Sequence, residues 1–250
     1  MFYTRIPCPA WVDHAPEYLS RATRFFPVVG WLAGLFCFLA WYPAGRLWNP
    51  EIAALLILIA GVVFTGAFHE DGFADLCDGF GGGWTPEQIL DIMKDSRVGT
   101  YGVLGLGLLM TLKWLALTDL LRLCAHHPAQ VLLCLVLYHS LARFTAISLI
   151  FSEPYVRADQ LSKAKPVAQG FTFAEPLIAT VTAALPLAAA AYWLSPLVLI
   201  VLLPLLILRQ VSAIYLRQRL GGYTGDCLGA LEQLAEVVIL LTVVALWSFI

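Results

Sequence analysis

Three carboxylates in one short stretch of the chain are spaced for metal chemistry. The segment Thr65-Gly-Ala-Phe-His-Glu-Asp-Gly-Phe-Ala-Asp-Leu-Cys-Asp-Gly79 contains Asp71, Asp75 and Asp78. On a helix these are i, i+4 and i+7 and share one face. Like charges placed this way destabilise an isolated helix, so something must neutralise them. Mg²⁺ suits the task, because it takes one or two carboxylates and completes its shell with water and substrate phosphates. A solvated acidic cap on an apolar helix is the competing account. Gly72, Ala74 and Gly79, interleaved with the acids, favour the metal, since backbone or ligand can approach closely there. His69 reads equally as a hydrogen-bonded interfacial side chain or as a proton acceptor.

Further along, Gly81-Gly82-Gly83 is either an amide-lined cradle for an anion or a flexible turn. Thr85 reads as an N-cap with Pro86 at the first helical position, and the helix it opens is expected to carry Glu87, Asp91 and Asp95 on one face. Asp95-Ser96-Arg97 then brings an acid, a hydroxyl and a guanidinium together. The planar guanidinium suits a phosphate, although a basic anchor beside a membrane is the simpler role. Near the C-terminus, Gly221-Gly-Tyr-Thr-Gly-Asp226 precedes Glu232 and Glu236. The glycines suggest a ligand close to Asp226, while acids favouring a helix N-terminus are the alternative.

The elements that must position these residues are membrane helices. Of 250 residues, 60% are hydrophobic and 13% charged, about half the charged content of a soluble domain. A net charge of -2 offers no basic field for nucleic acid. The composition also excludes intrinsic disorder. The six cysteines form no CxxC pair and suggest neither a disulfide framework nor a zinc site. A spanning helix needs roughly 20 apolar residues, and the long apolar runs give seven: 25–45, 52–68, 98–118 with Lys113 embedded, 129–151 with Arg143, two between 175 and 209 divided at Ser195-Pro196, and 228–250. The expected fold is therefore one all-α polytopic membrane domain over residues 1–250.

Eleven of the fifteen basic residues (Arg5, Arg21, Arg24, Lys94, Arg97, Arg157, Lys163, Lys165, Arg209, Arg217 and Arg219) fall in segments on the N-terminal side of that topology. The positive-inside rule then puts the N-terminus and the acidic loops in the cytoplasm. Lys113 and Arg143 lie within expected spans, which makes them functional candidates; Lys113, near the outer end of its span, has the option of snorkelling. All seventeen acids are read as standing outside the long apolar runs, with Glu232 and Glu236 at the start of the last helix before it becomes fully apolar, which argues against a cation transporter with an intramembrane acidic path. Carboxylates, arginine and glycine loops at a membrane face suit phosphoryl transfer instead.

The closest pattern in kind is the acid-rich helix of the CDP-alcohol phosphotransferases, but Asp75 stands where that motif has arginine. A fuller match exists. The Thr65–Gly79 stretch, Ile-Met-Lys-Asp-Ser-Arg-Val-Gly-Thr-Tyr-Gly at 92–102, Gly-Gly-x2-Gly-Asp-Cys-Leu-Gly-Ala at 221–230 and Phe-Tyr-Thr-Arg-Ile-Pro at 2–7 resemble the adenosylcobinamide-GDP ribazoletransferase (cobalamin synthase) family along the whole chain. Family members carry a few residues ahead of the last motif, which here follows Met1 directly. The resemblance implies Mg²⁺-dependent transfer of adenosylcobinamide phosphate from adenosylcobinamide-GDP to α-ribazole or its 5′-phosphate, with loss of GMP, in the inner membrane of a prokaryote. It implies Glu70, Asp71, Asp75 and Asp78 as metal ligands, with Asp95 as a further one, and His69, Asp71, Asp75, Asp95 and Arg97 as catalytic. Arg5, Gly81, Gly82, Gly83, Ser96, Lys113, Arg143, Asp226, Glu232 and Glu236 are the expected substrate-binding residues. Trp84 is a candidate for the apolar flank of the corrin. The partners are small-molecule substrates and the bilayer; a homo-oligomer is left open.

Overall fold

Long apolar runs in this chain satisfy their backbone polar groups internally by forming helices, which is what a hydrocarbon environment demands. The structure, a computed structural model, describes residues 4–7, 21–157 and 173–249. In chain order the helices are α1 (Phe26–Leu47), α2 (Pro50–Thr65), α3 (Phe68–Gly82), α4 (Pro86–Ile92), α5 (Thr100–Cys124), α6 (Pro128–Ser148), α7 (Ala174–Trp193), α8 (Leu202–Leu220, entered through a 3₁₀ turn at Pro196–Val201) and α9 (Gly225–Leu246). Among the described residues there is no strand, only an isolated bridge between Tyr155 and Tyr223. Cys8, Lys163 and Lys165 and the first residues of the N-terminal motif lie outside the described residues.

Among the described residues, six helical stretches are long and apolar enough to cross a membrane, and α2 with α3 makes a seventh if the bent pair is counted as one span. The protein is thus an all-α polytopic membrane protein. The expected division at Ser195-Pro196 is present, with the Ser195 hydroxyl accepting from the Leu197 amide as N-cap. Asn49 caps α2 in the same way over Pro50. Two boundaries differ from the apolar pattern. Arg209, Arg217 and Arg219, expected in a loop, sit within α8, and α9 begins at Gly225 rather than Leu228, capped by the Thr224 hydroxyl.

The second span does not run on to Phe68. Gly66 and Ala67 both take left-handed backbone angles, at φ 72° and 61°, and the chain turns through 91° between α2 and α3. α3 therefore lies across the end of the bundle rather than along a span. Arg5 covers the turn: its amide donates to the Phe64 carbonyl at 2.9 Å, and its Nε would stand 2.6 Å from a Cβ placed on Gly66. Arg5, expected to hold phosphate, thus packs on this corner.

Close approach by glycine sets the packing. Gly30 and Gly34, four residues apart on α1, meet α6 so tightly that a Cβ would lie 2.5 Å from the His139 carbonyl oxygen and 2.6 Å from Val136 Cα. This is the small-residue packing by which membrane helices associate without a hydrophobic driving force. α3 crosses α9 in the same manner: a Cβ on Gly72 would lie 2.9 Å from Asp226 Cα, and one on Gly229 would lie 3.2 Å from His69 Cα. These two contacts put the carboxylates of α3 in register with those of α9. Because backbone atoms cannot move aside, Gly34→Leu is expected to lower stability by about 3 kcal/mol or more, seen as a drop in Tm in detergent. Gly107→Ala, where a Cβ meets nothing within 4 Å, is expected to change stability by less than about 1 kcal/mol. Equal Tm values for the two variants would contradict the packing described.

Candidate active site

Asp71, on the exposed side of α3, Asp75 one turn later and Asp226 in the first turn of α9 converge at the end of the bundle. Partial burial, then the charges of Asp226 and Asp71, push the Asp75 carboxyl up to about 7. Burial and crowded like charges both act in this direction. Asp226 meets one cation: Arg157 Nη2 donates to its Oδ2 at 2.7 Å and to the Met93 carbonyl at 3.3 Å. Arg157 was not legible as a site residue, because its partner is 69 positions away and nothing local marks it. The segment before it is fixed by the Tyr223 amide donating to the Pro154 carbonyl at 2.9 Å and the Val156 amide to the Tyr223 carbonyl at 3.1 Å. A Cβ on Gly222 would fall 2.1 Å from the Pro154 oxygen. Gly222 and Gly229 near Asp226 therefore admit other backbone of the protein, where a ligand was expected.

Asp78 does not share this cluster. Its two oxygens accept from the Gly99 and Gly102 amides at 2.7 and 2.8 Å, capping α5, so its carboxylate answers unpaired N–H groups of a helix start. The triglycine is not an anion cradle either. Gly81 and Gly82 complete α3, and Cβ atoms on Gly81 and Gly83 would collide with the Tyr101 ring at 2.4 Å and Ile89 at 2.7 Å. Thr85 and Gln88 form a capping box at the start of α4 as the Thr-Pro pair implied. That helix ends at Ile92, however, so Asp95 lies beyond it and no face carries Glu87, Asp91 and Asp95 together. Arg97 is exposed and grips Asp95 through both carboxylate oxygens, Nε donating at 3.0 Å to each. The guanidinium holds the Asp95 carboxyl down at about 2. Ser96 between them is exposed.

A second polar group is sealed inside the bundle. Lys113 Nζ donates to Glu236 Oε2 at 2.5 Å and to Gln233 Oε1 at 2.9 Å. Arg143 Nη1 lies 3.0 Å from Glu232 Oε1 and 3.6 Å from Glu236 Oε1. His139 Nδ1 meets Glu236 at 2.6 Å and His69 Nδ1 meets Glu232 at 3.1 Å. Gln233 Nε2 donates to Glu70 Oε1 at 3.1 Å. All these side chains are buried, around a cavity of only about 10 Å³, roughly the room of one water. Lys113 therefore does not snorkel. Lys113, Arg143, Glu232 and Glu236, expected to bind substrate, bind one another. Glu70 belongs here rather than with Asp71, and His69, enclosed by Phe26 and Phe68, is shut away from any external proton donor. Acids do lie deep in the spans, contrary to the reading that excluded a transporter, but they are paired with fixed cations.

Among the described residues, no group of three His, Cys, Asp or Glu is placed to hold a metal ion. Asp71, Asp75 and Asp226 form an all-oxygen set that is open to a ligand.

Fold and site define a polytopic membrane protein with Asp71, Asp75 and Asp226 brought together at one end. The family model for cobalamin-5-phosphate synthase matches residues 1–244. The adenosylcobinamide-GDP ribazoletransferase of Shewanella frigidimarina is 45% identical over 245 residues, covering 98% of this chain and 91% of that protein. The protein of the same name from Shewanella piezotolerans is 45% identical over 249 residues, covering 98% and 94%. No solved structure matches. The chain belongs to the cobalamin-5-phosphate synthase family, and is a membrane-embedded transferase of cobalamin biosynthesis acting on small molecules.

Removing one partner from a buried ion pair strands the other. Lys113→Met is expected to cost about 3–5 kcal/mol. Lys113→Met combined with Glu236→Gln should cost less than the sum of the single changes, by about 1 kcal/mol or more. Unfolding of the three variants in one detergent checks this; strictly additive losses would show that the two side chains are not coupled.

Proposed function

We propose that this chain transfers the adenosylcobinamide-phosphate group of adenosylcobinamide-GDP to α-ribazole or α-ribazole 5′-phosphate. A hydroxyl oxygen of the ribazole attacks the phosphorus next to cobinamide, the bond from that phosphorus to the oxygen of the GMP phosphate breaks, and GMP leaves. The product is adenosylcobalamin or its 5′-phosphate. The observation that carries this reading is the convergence of Asp71, Asp75 and Asp226 at an accessible end of the bundle, in a chain so similar to proteins named for that transfer.

The donor set fits Mg²⁺ on chemical grounds. Its oxygens are hard, its mutual repulsion calls for a cation, and it leaves positions for water and phosphate. Asp71 and Asp226 would hold the ion, which supplies neutralisation of charge on the phosphates and the leaving GMP. Asp75, raised to about 7 by partial burial and then by its acidic neighbours, takes the proton of the attacking hydroxyl, since a base works best with its pKa near the operating pH. α3, locked to α9 at Gly72 and Gly229, holds the base in fixed relation to Asp226. The basic residues at this end of the bundle, Arg157, Arg217 and Arg219 among them, favour its facing the cytoplasm of the cell, as the positive-inside rule expects.

Purified protein in nanodiscs, given both substrates, is expected to release GMP with Mg²⁺ and to stop with EDTA. Asp71→Asn and Asp75→Asn should each lower turnover by about 10²-fold or more while remaining folded. Near-wild-type turnover in both would remove these carboxylates from the reaction, and turnover undiminished by EDTA would remove the metal.

A further inference from the structure

Arg157 has no role in the account so far, yet its position is unusual. Among the described residues it is the cation that touches the open acidic cluster, with its side chain 16% exposed and that of Asp226 21%. Its Nη2 is occupied by Asp226 and the Met93 carbonyl. Its Nε is buried and has no partner among the described residues. A guanidinium has five donors; this one is held through Nη2 alone, which leaves the Nη1 hydrogens unspent among the described residues. The other guanidiniums near this end are engaged elsewhere: Arg97 with Asp95, Arg217 with Glu153, Arg219 with the Gly83 carbonyl. A phosphate approaching three carboxylates is repelled unless a cation stands among them. A planar guanidinium meets phosphate with paired, charge-assisted hydrogen bonds.

We propose that Arg157 binds a phosphate group of the substrates at the acidic cluster, with Asp226 and the Met93 carbonyl fixing the plane of its guanidinium. The inference rests on the transfer reaction proposed above. Phosphate oxygens reach this end from two sources, the diphosphate of the nucleotide-linked donor and the 5′-phosphate of the acceptor, and Arg157 serves one of them.

The test is titration calorimetry of the full chain in nanodiscs with Mg²⁺, using GDP as stand-in for the donor diphosphate, α-ribazole 5′-phosphate and unphosphorylated α-ribazole. Arg157→Gln is expected to weaken one phosphorylated ligand by about tenfold or more. A loss with GDP assigns the residue to the donor, and a loss with α-ribazole 5′-phosphate assigns it to the acceptor, while α-ribazole binds as to the wild type. Should Arg157→Gln fail to fold, Arg157→Lys carries the test, because it keeps the charge without the planar fork and should weaken the same ligand severalfold. A folded variant that binds both phosphorylated ligands as tightly as the wild type overturns the proposal alone. So does an equal loss for all three ligands, which marks a structural role. Wild-type protein that binds none of the three overturns the transfer reaction, and this proposal with it.

Discussion

A charge enclosed in an apolar bundle must find its opposite, and here that requirement ties four helices together. Lys113 on α5 and Arg143 on α6 are each too costly to bury alone. Glu232 and Glu236 on α9 meet them, and His139, His69 and Gln233 take up further hydrogen-bonding capacity of those carboxylates, with Gln233 also donating to Glu70. Van der Waals packing between apolar helices tolerates some rotation and sliding. Paired charges with defined donors tolerate little, so the network fixes which face of α9 meets α5, α6 and α3.

The fixed register extends outward to the accessible acids. His69 and Glu70 are held inside by Glu232 and Gln233, and Asp71 follows Glu70 directly on the same helix. Two turns before Glu232, Asp226 starts α9. Gly72 between them leaves no space for a side chain against Asp226. Asp71, Asp75 and Asp226 are therefore positioned by a sealed network one layer deeper, on helices rather than on loops. A site that must hold charged phosphates at a constant distance gains from such support. The right-angled turn at Gly66-Ala67 is what lets one continuous stretch of chain contribute to both layers.

The spans were legible in the sequence because uncharged runs of sufficient length have one stable form in a membrane. The break at Ser195-Pro196 and the cap at Thr85 were legible because proline and hydroxyl side chains act locally. The turn at Ala67 was not, since alanine carries no signal for a left-handed backbone. Arg157 was not legible for a different reason: its meaning depends on Asp226, far away in the chain. Glu232 and Glu236 read as acids at a helix start, and only the packing of α5 and α6 against them shows that they are interior.

The acids of this chain also show why a dense acidic motif overstates the number of metal ligands. With 17 acids in 250 residues, several have structural uses that a soluble protein would assign to other polar side chains. Asp78 caps α5, Glu70 completes the interior network, Asp95 orders its own turn with Arg97, and Glu153 receives Arg217. Helical spacing alone would have placed Asp78 with Asp71 and Asp75. What separates it is the pair of unpaired amides at the start of α5, whose demand for an acceptor is local and strong. The carboxylates left without such a duty are Asp71 and Asp75, joined by Asp226, whose contact is a cation with unspent donors. Chemistry at this end of the bundle therefore falls to Asp71 and Asp75 together with Asp226, fewer acids than the motif contains and drawn from two distant stretches of the chain.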